Sequence, residues 1–302
     1  MKKLLTILFS LTVIFAIAQE RANDGAKPVT HAPGGCPSLV MTPVDGVVTF
    51  PADLVESILG PDIQSYSNVS FSGLQGNPTA SAGLFTGGID AGLGIETGIL
   101  MASGFINNAI GPNASNSITG ILGLGGDADL NALSGVTTFD ATILEFDFVP
   151  NYNELFIEFV FGSDEYLEFV NSSFNDAFAF FLNGTNIAVV PSTTTPITIN
   201  TINHLVNTTY FKNNYSWPGP FCNEMDGFTT VLVANGAVTP NVSNHIKLAI
   251  ADGSDHVLDS WVFIKAEGFS GVDPEVPVSN WALFIGIGLI LLFAVIRFRR
   301  LV

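Results

Sequence analysis

Two neighbouring segments of this sequence alternate strictly between apolar and polar side chains. In residues 143–149 a leucine and two phenylalanines alternate with Glu145 and Asp147. After a turn-forming segment at 150–153, residues 155–161 alternate again, with a leucine, an isoleucine and two phenylalanines on one face. Successive side chains of a β-strand point to opposite faces of a sheet, so each segment is predicted to be a strand with one buried face. The chain must therefore build sheets around a Phe-rich core.

Further short apolar segments, separated by Gly, Asn, Asp and Pro, continue this pattern. We predict strands at residues 99–102, 177–182, 187–190, 197–202, 229–234, 246–251 and 261–266. The Asn-Gly pairs at 183–184 and 235–236 predict tight hairpin turns, and residues 52–59 predict a short helix. Many short strands and few helices predict an all-β fold, an antiparallel β-sandwich that is jelly-roll-like. We expect this β domain to span residues 39–271.

The first residues have the composition of a secretory signal peptide. Two lysines precede an apolar run from Leu4 to Ala18, which ends in small side chains. This pattern predicts a signal peptide at 1–18, cleaved between Ala18 and Gln19. The Gly-, Pro- and Ala-rich residues 19–38 then form a leader linker. The alternative is an apolar anchor that is not removed.

The last residues have the pattern of a membrane anchor. Residues 281–296 contain no charged side chain, and the basic residues 297–302 follow them. This order predicts a linker at 272–280, one transmembrane helix at 281–296, a cytoplasmic C-terminus and a β domain outside the membrane. The predicted anchor residues are Trp281, Arg297, Arg299 and Arg300. The alternative is a buried core helix.

The net charge excludes one class of partner. The chain has 10 Lys and Arg against 27 Asp and Glu, a formal charge of −17. Five of the cations lie in the two terminal segments, so the predicted exported part has 5 cations, 27 carboxylates and a charge of −22. A protein without surplus cations cannot neutralise phosphates, and nucleic acid is therefore excluded as a partner.

Three acidic segments contain the candidate metal ligands. Calcium prefers several oxygen ligands from a short loop, and these segments lie in Gly-containing turns. The candidates are Asp127 and Asp129, then Asp164, Glu165 and Asp176, then Asp252, Asp255 and Asp259. The second group is the strongest, because carboxylates this close repel one another unless a cation or a hydrogen-bond network neutralises them. The alternative is that all of these are turn residues that bind their own backbone.

Catalytic patterns are missing from the sequence. The four histidines have no metal-binding spacing, and Ser163 lacks the second glycine of a nucleophile elbow. We therefore predict no enzymatic activity. The alternative is a glycan hydrolase that uses Asp164, Glu165 or Asp176.

Two aromatic residues and two cysteines complete the candidates. Tyr166 and Trp217 are candidate sugar-binding residues that would line an open groove. Cys36 and Cys222 both lie in the predicted exported part, where a disulfide persists. The alternative for the cysteines is two unpaired thiols.

Several sequence blocks follow one another over residues 48–270. They include residues 98–104, 111–113, 126–130, 140–148, 161–166, 174–178, 226–232 and 245–252. Together these blocks resemble the choice-of-anchor L domain family of bacterial surface proteins. The resemblance implies a surface domain coupled to varied C-terminal anchors, and it brings no established catalytic activity.

The tail carries a second resemblance. Residues 276–281 read Val-Pro-Val-Ser-Asn-Trp before the apolar segment and the arginines. This order is similar to PEP-CTERM tails, although the Pro-Glu-Pro triplet is missing, and it implies an exosortase-like processing enzyme as a partner. A simple tail anchor is the alternative.

These observations predict an exported domain that is anchored at the membrane or displayed at the cell surface. We expect it to serve in adhesion or in carbohydrate or matrix binding, with a glycan or a surface protein as ligand and Ca²⁺ as the candidate cofactor. The alternatives are a structural cell-envelope protein without a small ligand and the glycan hydrolase.

Overall fold

A computed structural model describes residue 36 and residues 39–274, which build two antiparallel β-sheets. The predicted signal peptide with its Ala18–Gln19 cleavage site, and the predicted anchor at 281–296 with its arginines, lie outside these residues. Within the described part, no helix is long and apolar enough to cross a membrane.

The larger sheet contains eight of the strands found in residues 39–274. They are β1 (Val40–Pro43), β3 (Ala82–Thr86), β4 (Thr97–Ala102), β6 (Glu154–Ser163), β9 (Phe211–Asn213), β10 (Gly227–Thr229), β11 (Leu232–Ala237) and β13 (Ser260–Lys265). Their order across the sheet is β1-β3-β4-β13-β6-β10-β9. β10 and β11 pair with successive parts of β6 on the same edge.

The smaller sheet contains five strands of the same region. They are β2 (Ile63–Ser72), β5 (Thr138–Pro150), β7 (Ala177–Leu182), β8 (Thr185–Asn186) and β12 (Asn244–Gly253). Their order is β2-β5-β12-β7-β8. The chain crosses between the sheets after β1, β2, β4, β5, β6, β8, β11 and β12, and this gives β4-β13-β6-β11 facing β5-β12-β7-β8. That is the connectivity of a jelly roll.

Phenylalanine side chains fill the space between the two sheets. Phe159 and Phe161 of β6 contact Phe178 of β7, with ring centroids 5.2 and 4.9 Å apart. Phe146 and Phe148 of β5 pack against Phe269. Their alternating partners on β5 and β6 point away from this core, as the sequence pattern predicted. The structure thus confirms the predicted all-β sandwich.

The outer faces of the sheets are partly covered. Loop residues pack with Trp261, Phe263 and Phe228 on the outer face of the larger sheet. The helix α2 (Ala128–Ser134) lies on small alanine side chains of the smaller sheet. The other helical elements are α1 (Pro51–Ile58), which buries Leu54, Val55 and Ile58 in the core, and the 3₁₀ turns Ile106–Ala109 and Thr208–Tyr210.

Most predicted strands match the structure, but two are wrong and a third, 229–234, spans the break between β10 and β11. Residues 187–190 and 197–202 make only isolated bridges, because Asn186 and Thr201 side chains bind the backbone amides of residues 188 and 198 and hold turns. The apolar side chains of both segments are buried nevertheless.

The two predicted Asn-Gly turns differ in outcome. Asn183 and Gly184 have positive φ angles and join β7 to β8, as predicted. Asn235 and Gly236 are instead paired with β6 inside β11. A Cβ atom at Gly236 would lie 2.8 Å from the side chain of Ile187, so this glycine serves close packing and not a turn.

Candidate functional site at the acidic end of the sandwich

Acidic residues collect at one end of the sandwich, where six strands begin or end. Asp164 follows β6, and Asp226 and Asp259 precede β10 and β13, which pair with β6 on either side. Asp140, Asp176 and Asp252 lie at the same end of β5, β7 and β12. We call the following set the acidic end: Asp140, Asp164, Glu165, Asp176, Glu224, Asp226, Asp252 and Asp259.

All eight carboxyl groups of the acidic end belong to buried residues, none more than 5% exposed. Isolated buried carboxylates are costly, so such residues need hydrogen-bond donors, protons or cations. No ion pair among residues 39–274 includes Asp164, Glu165, Asp176, Glu224, Asp226, Asp252 or Asp259. Their negative charge is therefore balanced in some other way.

Part of this charge is balanced by backbone amides of the loop 114–124. This loop runs over the acidic end without regular secondary structure, and its amides donate to four carboxylates in succession. The pairs are Ala114 and Ser115 to Glu224, Ile118 to Asp164, Gly120 to Asp259, and Leu122 and Leu124 to Asp140. The hydrogen-bond network that the sequence left open as an alternative therefore exists, and it fixes the loop 114–124.

Several buried oxygens of the acidic end and of the neighbouring Asn113 and Asn175 have no hydrogen-bond partner. One set comprises Asp164 Oδ1, Asp226 Oδ2 and the amide oxygen Oδ1 of Asn113. Another comprises Glu165 Oε2, Asn175 Oδ1 and both carboxylate oxygens of Asp252. Nearly all buried polar atoms in proteins have partners, so each exception requires an explanation. These atoms mark the part of the acidic end that can accept protons or a cation.

Burial raises the pKa of several carboxyl groups of the acidic end. It raises the pKa of Asp226 to about 7, although the hydrogen bond from Asn113 lowers it in part. Burial also raises the pKa of Asp164 well above 3.8, and the negative charge of Asp226 raises it further. The cause is the same for Glu165 and Asp252, whose pKa values burial and the charge of Asp176 both raise.

An exposed aromatic surface lies beside the acidic end. Trp217 is 49% exposed, and its ring meets Tyr215 edge to face with centroids 4.9 Å apart. The Tyr215 hydroxyl donates to Glu168, and the Asn116 side chain donates to the same carboxylate at 3.3 Å. The charge of Glu168 in turn raises the pKa of Asp226. We call Asn116, Glu168, Tyr215 and Trp217 the Trp217 surface.

Comparison with known protein families shows which family this chain belongs to. The family model described as the choice-of-anchor L domain matches residues 44–270. The chain belongs to the choice-of-anchor L domain family. No curated protein and no solved structure matches it. The family associates this choice-of-anchor L domain with the cell surface, and the match runs from the residue after β1 to the segment after β13.

Five of the sequence blocks that suggested this family converge at the acidic end. Residues 140–148, 161–166, 174–178, 226–232 and 245–252 contribute Asp140, Asp164, Glu165, Asp176, Asp226 and Asp252. Six of the eight carboxyl groups of the acidic end therefore lie in the segments that resemble the family.

The sequence did not identify Asn113, Glu224 or Asp226 as site residues. The signal available was an Asp-Gly pair at 226–227 and an Asn in the turn at 111–113. Only the pairing of β10 with β6 brings Asp226 beside Asp164.

Three predicted metal ligands, Asp127, Asp129 and Asp255, lie outside the acidic end. Asp127 caps α2 by accepting from the amides of residues 129 and 130, and Lys247 Nζ lies 2.6 Å from Asp127 and 2.8 Å from Asp129. Asp255 accepts from the amide of Val257. Local turns, a helix cap and a lysine account for these carboxylates, which agrees with the turn alternative.

The eight predicted metal ligands do not form one cluster. Among residue 36 and residues 39–274, no group of three or more His, Cys, Asp and Glu side chains is placed so that it could hold a metal ion. A cation site in this region would need amide, carbonyl or water oxygens beside two carboxylates, which calcium accepts.

The remaining candidates are in different environments. Tyr166 is fully buried in the core, and its hydroxyl donates to the carbonyl of Ile202 at 2.6 Å, so it does not line a surface groove. Cys36 and Cys222 are joined in a disulfide with Cα atoms 5.4 Å apart. This bond ties residue 36 to the segment that carries Trp217.

Proposed function

We propose that this choice-of-anchor L domain is a cell-surface adhesion module that binds a glycan at the Trp217 surface. The observation that carries the proposal is the exposed Trp217 with its half-buried neighbour Tyr215 beside Glu168 and Asn116. An exposed aromatic side chain is typical of a binding site when polar groups converge beside it, as they do at Trp217.

The chemistry of the Trp217 surface suits a sugar. The aromatic face of Trp217 can pack against the C–H face of a pyranose ring, which removes apolar area from water. The Glu168 carboxylate accepts hydrogen bonds from hydroxyl groups, and the Asn116 amide both donates and accepts. These groups stand next to one another in the structure.

The segment that carries Trp217 is held in shape before any ligand arrives. The Asn214 side chain accepts from the amide of Phe221 at 3.0 Å and donates to the carbonyl of Met225 at 2.9 Å. Cys222, in the same segment, is in the disulfide with Cys36. A preorganised loop loses less conformational entropy on binding, which favours affinity.

Burial of the carboxylates is our reason for proposing binding rather than hydrolysis. Asp164, Glu165 and Asp176, the residues that a glycan hydrolase would use, are at most 1% exposed. A glycosidase needs two carboxyl groups on either side of the scissile bond. A sugar on the Trp217 surface would meet Glu168 alone among the carboxylates of that surface.

We also propose that the chain is exported and then held at the membrane or the cell surface by its C-terminal residues. The support is the cationic and apolar pattern of residues 1–18 and 281–302, together with the family. An exosortase-like enzyme is the proposed processing partner. Mass spectrometry of the protein from its own cells tests this, with an N-terminus at Gln19 and a shortened C-terminus as the expected result. An intact chain from residue 1 to residue 302 would contradict it.

A glycan array probed with the full chain tests the adhesion proposal. We expect binding to a limited set of glycans, at least tenfold weaker for Trp217→Ala, which corresponds to about 1.4 kcal/mol or more. Phe50→Ala is the matched control, since Phe50 is an aromatic residue with a similar exposure of 47% at the start of α1. Equal binding by both variants would contradict the proposal. Silence of the unaltered chain on the array and in whole-cell adhesion would favour a structural envelope protein.

A further inference from the structure

Residues 214–225 form the segment that carries Trp217. Three buried oxygen atoms next to the two ends of this segment have no hydrogen-bond donor. They are Oδ1 of Asn113, Oδ1 of Asp164 and Oδ2 of Asp226, and each residue is fully buried. The second oxygen of each carboxylate does have a donor, the amide of Ile118 for Asp164 and Asn113 Nδ2 for Asp226. These three acceptor oxygens therefore remain without donors, because the neighbouring N–H groups of Ile118 and Asn113 are already hydrogen-bonded to other atoms.

The three residues are neighbours in space. Asn113 Nδ2 lies 2.7 Å from Asp226 Oδ1, so the side-chain amide of Asn113 is in contact with the Asp226 carboxylate. Ser163 is paired with Gly227, so Asp164 and Asp226 come next to each other in the register of two adjacent strands. The charge of Asp226 is also the strongest electrostatic influence of any charged group on Asp164.

The charges around these atoms favour a cation. Glu224 and Glu168 lie close enough to act on Asp226, and both are acidic. No lysine, arginine or histidine in residues 39–274 forms an ion pair with Asp164 or Asp226. Two adjacent carboxylates with unused oxygens and no cationic side chain are a costly arrangement unless a proton or a positive ion binds between them.

We propose that Asn113, Asp164 and Asp226 bind a single calcium ion through these three oxygens. Two carboxylates and one amide are hard oxygen ligands of the type that calcium prefers, and water completes the coordination shell. The set contains only two acidic side chains, in keeping with the lack of any three-residue group of His, Cys, Asp and Glu in the described region.

The position of the calcium site lets the ion stabilise the segment that carries Trp217. Asn113 Nδ2 donates to the carbonyls of Asn214 and Met225 as well as to Asp226, so it contacts both ends of the segment that carries Trp217. Bound calcium draws residues 113, 164 and 226 together and fixes the base of that segment. The cation site itself does not depend on whether the Trp217 surface binds a glycan.

Calcium titration of the full chain tests the site directly. The protein is stripped with chelator and titrated with calcium chloride at pH 8 by calorimetry, and its thermal unfolding is followed with and without the ion. We expect saturable binding and a higher Tm in calcium. Asp226→Asn and Asp164→Asn should each weaken binding on the order of tenfold or more, because each removes one charged ligand. Asp90→Asn, which removes an exposed carboxylate, should bind like the unaltered chain.

Stability in chelator separates a lost site from a lost fold. Asp226→Asn keeps an oxygen that accepts from Asn113, and it removes a buried charge, so it should melt no lower than the unaltered chain without calcium. No heat and no Tm change on adding calcium to the unaltered chain would overturn the proposal. So would unchanged calcium binding by Asp226→Asn and Asp164→Asn, since the ion would then bind elsewhere.

Discussion

Replacing Asp252 with asparagine should stabilise the domain at alkaline pH. Asp252 is 1% exposed, neither of its carboxylate oxygens accepts a well-formed hydrogen bond, and the nearby Ser103 side chain offsets the effect of burial on its pKa only in part. Burial raises its pKa well above 3.8, and the negative charges of Asp176 and Asp259 raise it further. Asparagine has the same shape without the charge, so the substitution removes the electrostatic cost while it keeps the packing.

The size of the effect follows from proton linkage. In the unfolded chain Asp252 has a pKa near 3.8, so above that pH its raised pKa costs the folded state at most about 1.4 kcal/mol for each pH unit. The buried asparagine amide also lacks partners, which offsets about 1–3 kcal/mol of the gain. We therefore expect Asp252→Asn to raise the free energy of unfolding by about 2 kcal/mol or more at pH 8, which corresponds to a Tm higher by roughly 5 °C.

The pH dependence is the diagnostic feature. A carboxyl group with a raised folded pKa binds its proton more tightly in the folded state, so the unaltered chain gains stability as pH falls from its folded pKa toward 3.8. The advantage of Asp252→Asn should therefore shrink steadily and reach a minimum near pH 4. Urea unfolding of both chains in chelator, from pH 8 to pH 4, measures this. Asp90→Asn is the control, with a change within about 0.5 kcal/mol at every pH. A loss of stability in Asp252→Asn at pH 8, or a difference independent of pH, would refute the reasoning.

Three further substitutions test other parts of the structure. Phe178→Ala removes a ring that contacts Phe159 and Phe161, and urea unfolding should show a loss of about 3–5 kcal/mol; a loss below 1 kcal/mol would contradict the central position of this ring. Tyr166→Phe removes the hydrogen bond to a buried carbonyl and should cost about 1–2 kcal/mol, while glycan binding should stay unchanged if Tyr166 is only a core residue. Lys247→Met leaves two carboxylates at the start of α2 without their cation, so amide hydrogen exchange in α2 should become faster; equal exchange rates would show that the ion pair does not hold the helix.

The strand pattern could be predicted where one face of a strand is buried and the other is not. Strand β7 has the predicted bounds, and β5 and β6 exceed theirs by a few residues at the ends. Residues 187–190 and 197–202 were predicted as strands because each is a short apolar segment. Such a segment indicates that its side chains are buried, but buried side chains occur in packed turns as well as in strands. Gly236 was assigned to a turn because close packing against Ile187 leaves no local signal.

The candidate site was predictable in part for a related reason. The repulsion argument singled out Asp164, Glu165 and Asp176 as carboxylates that require neutralisation, and the structure buries all three. Asp226 and Asn113 are separated from Asp164 by more than 50 residues in either direction, and only strand pairing and a side-chain hydrogen bond bring them together. The amides of the loop 114–124 that bind four of the carboxylates carry no sequence signal, because every non-proline residue has such an amide.

Anomalous diffraction from crystals of the full chain grown with terbium in place of calcium would test most directly whether the acidic end binds a ligand or only fixes the fold. We predict one strong peak within about 2.6 Å of the free oxygens of Asn113, Asp164 and Asp226, and no such peak in crystals of Asp226→Asn. A map with no peak at these atoms, at a terbium concentration that saturates binding in solution, would contradict the cation site and leave the acidic end as a purely structural hydrogen-bond network.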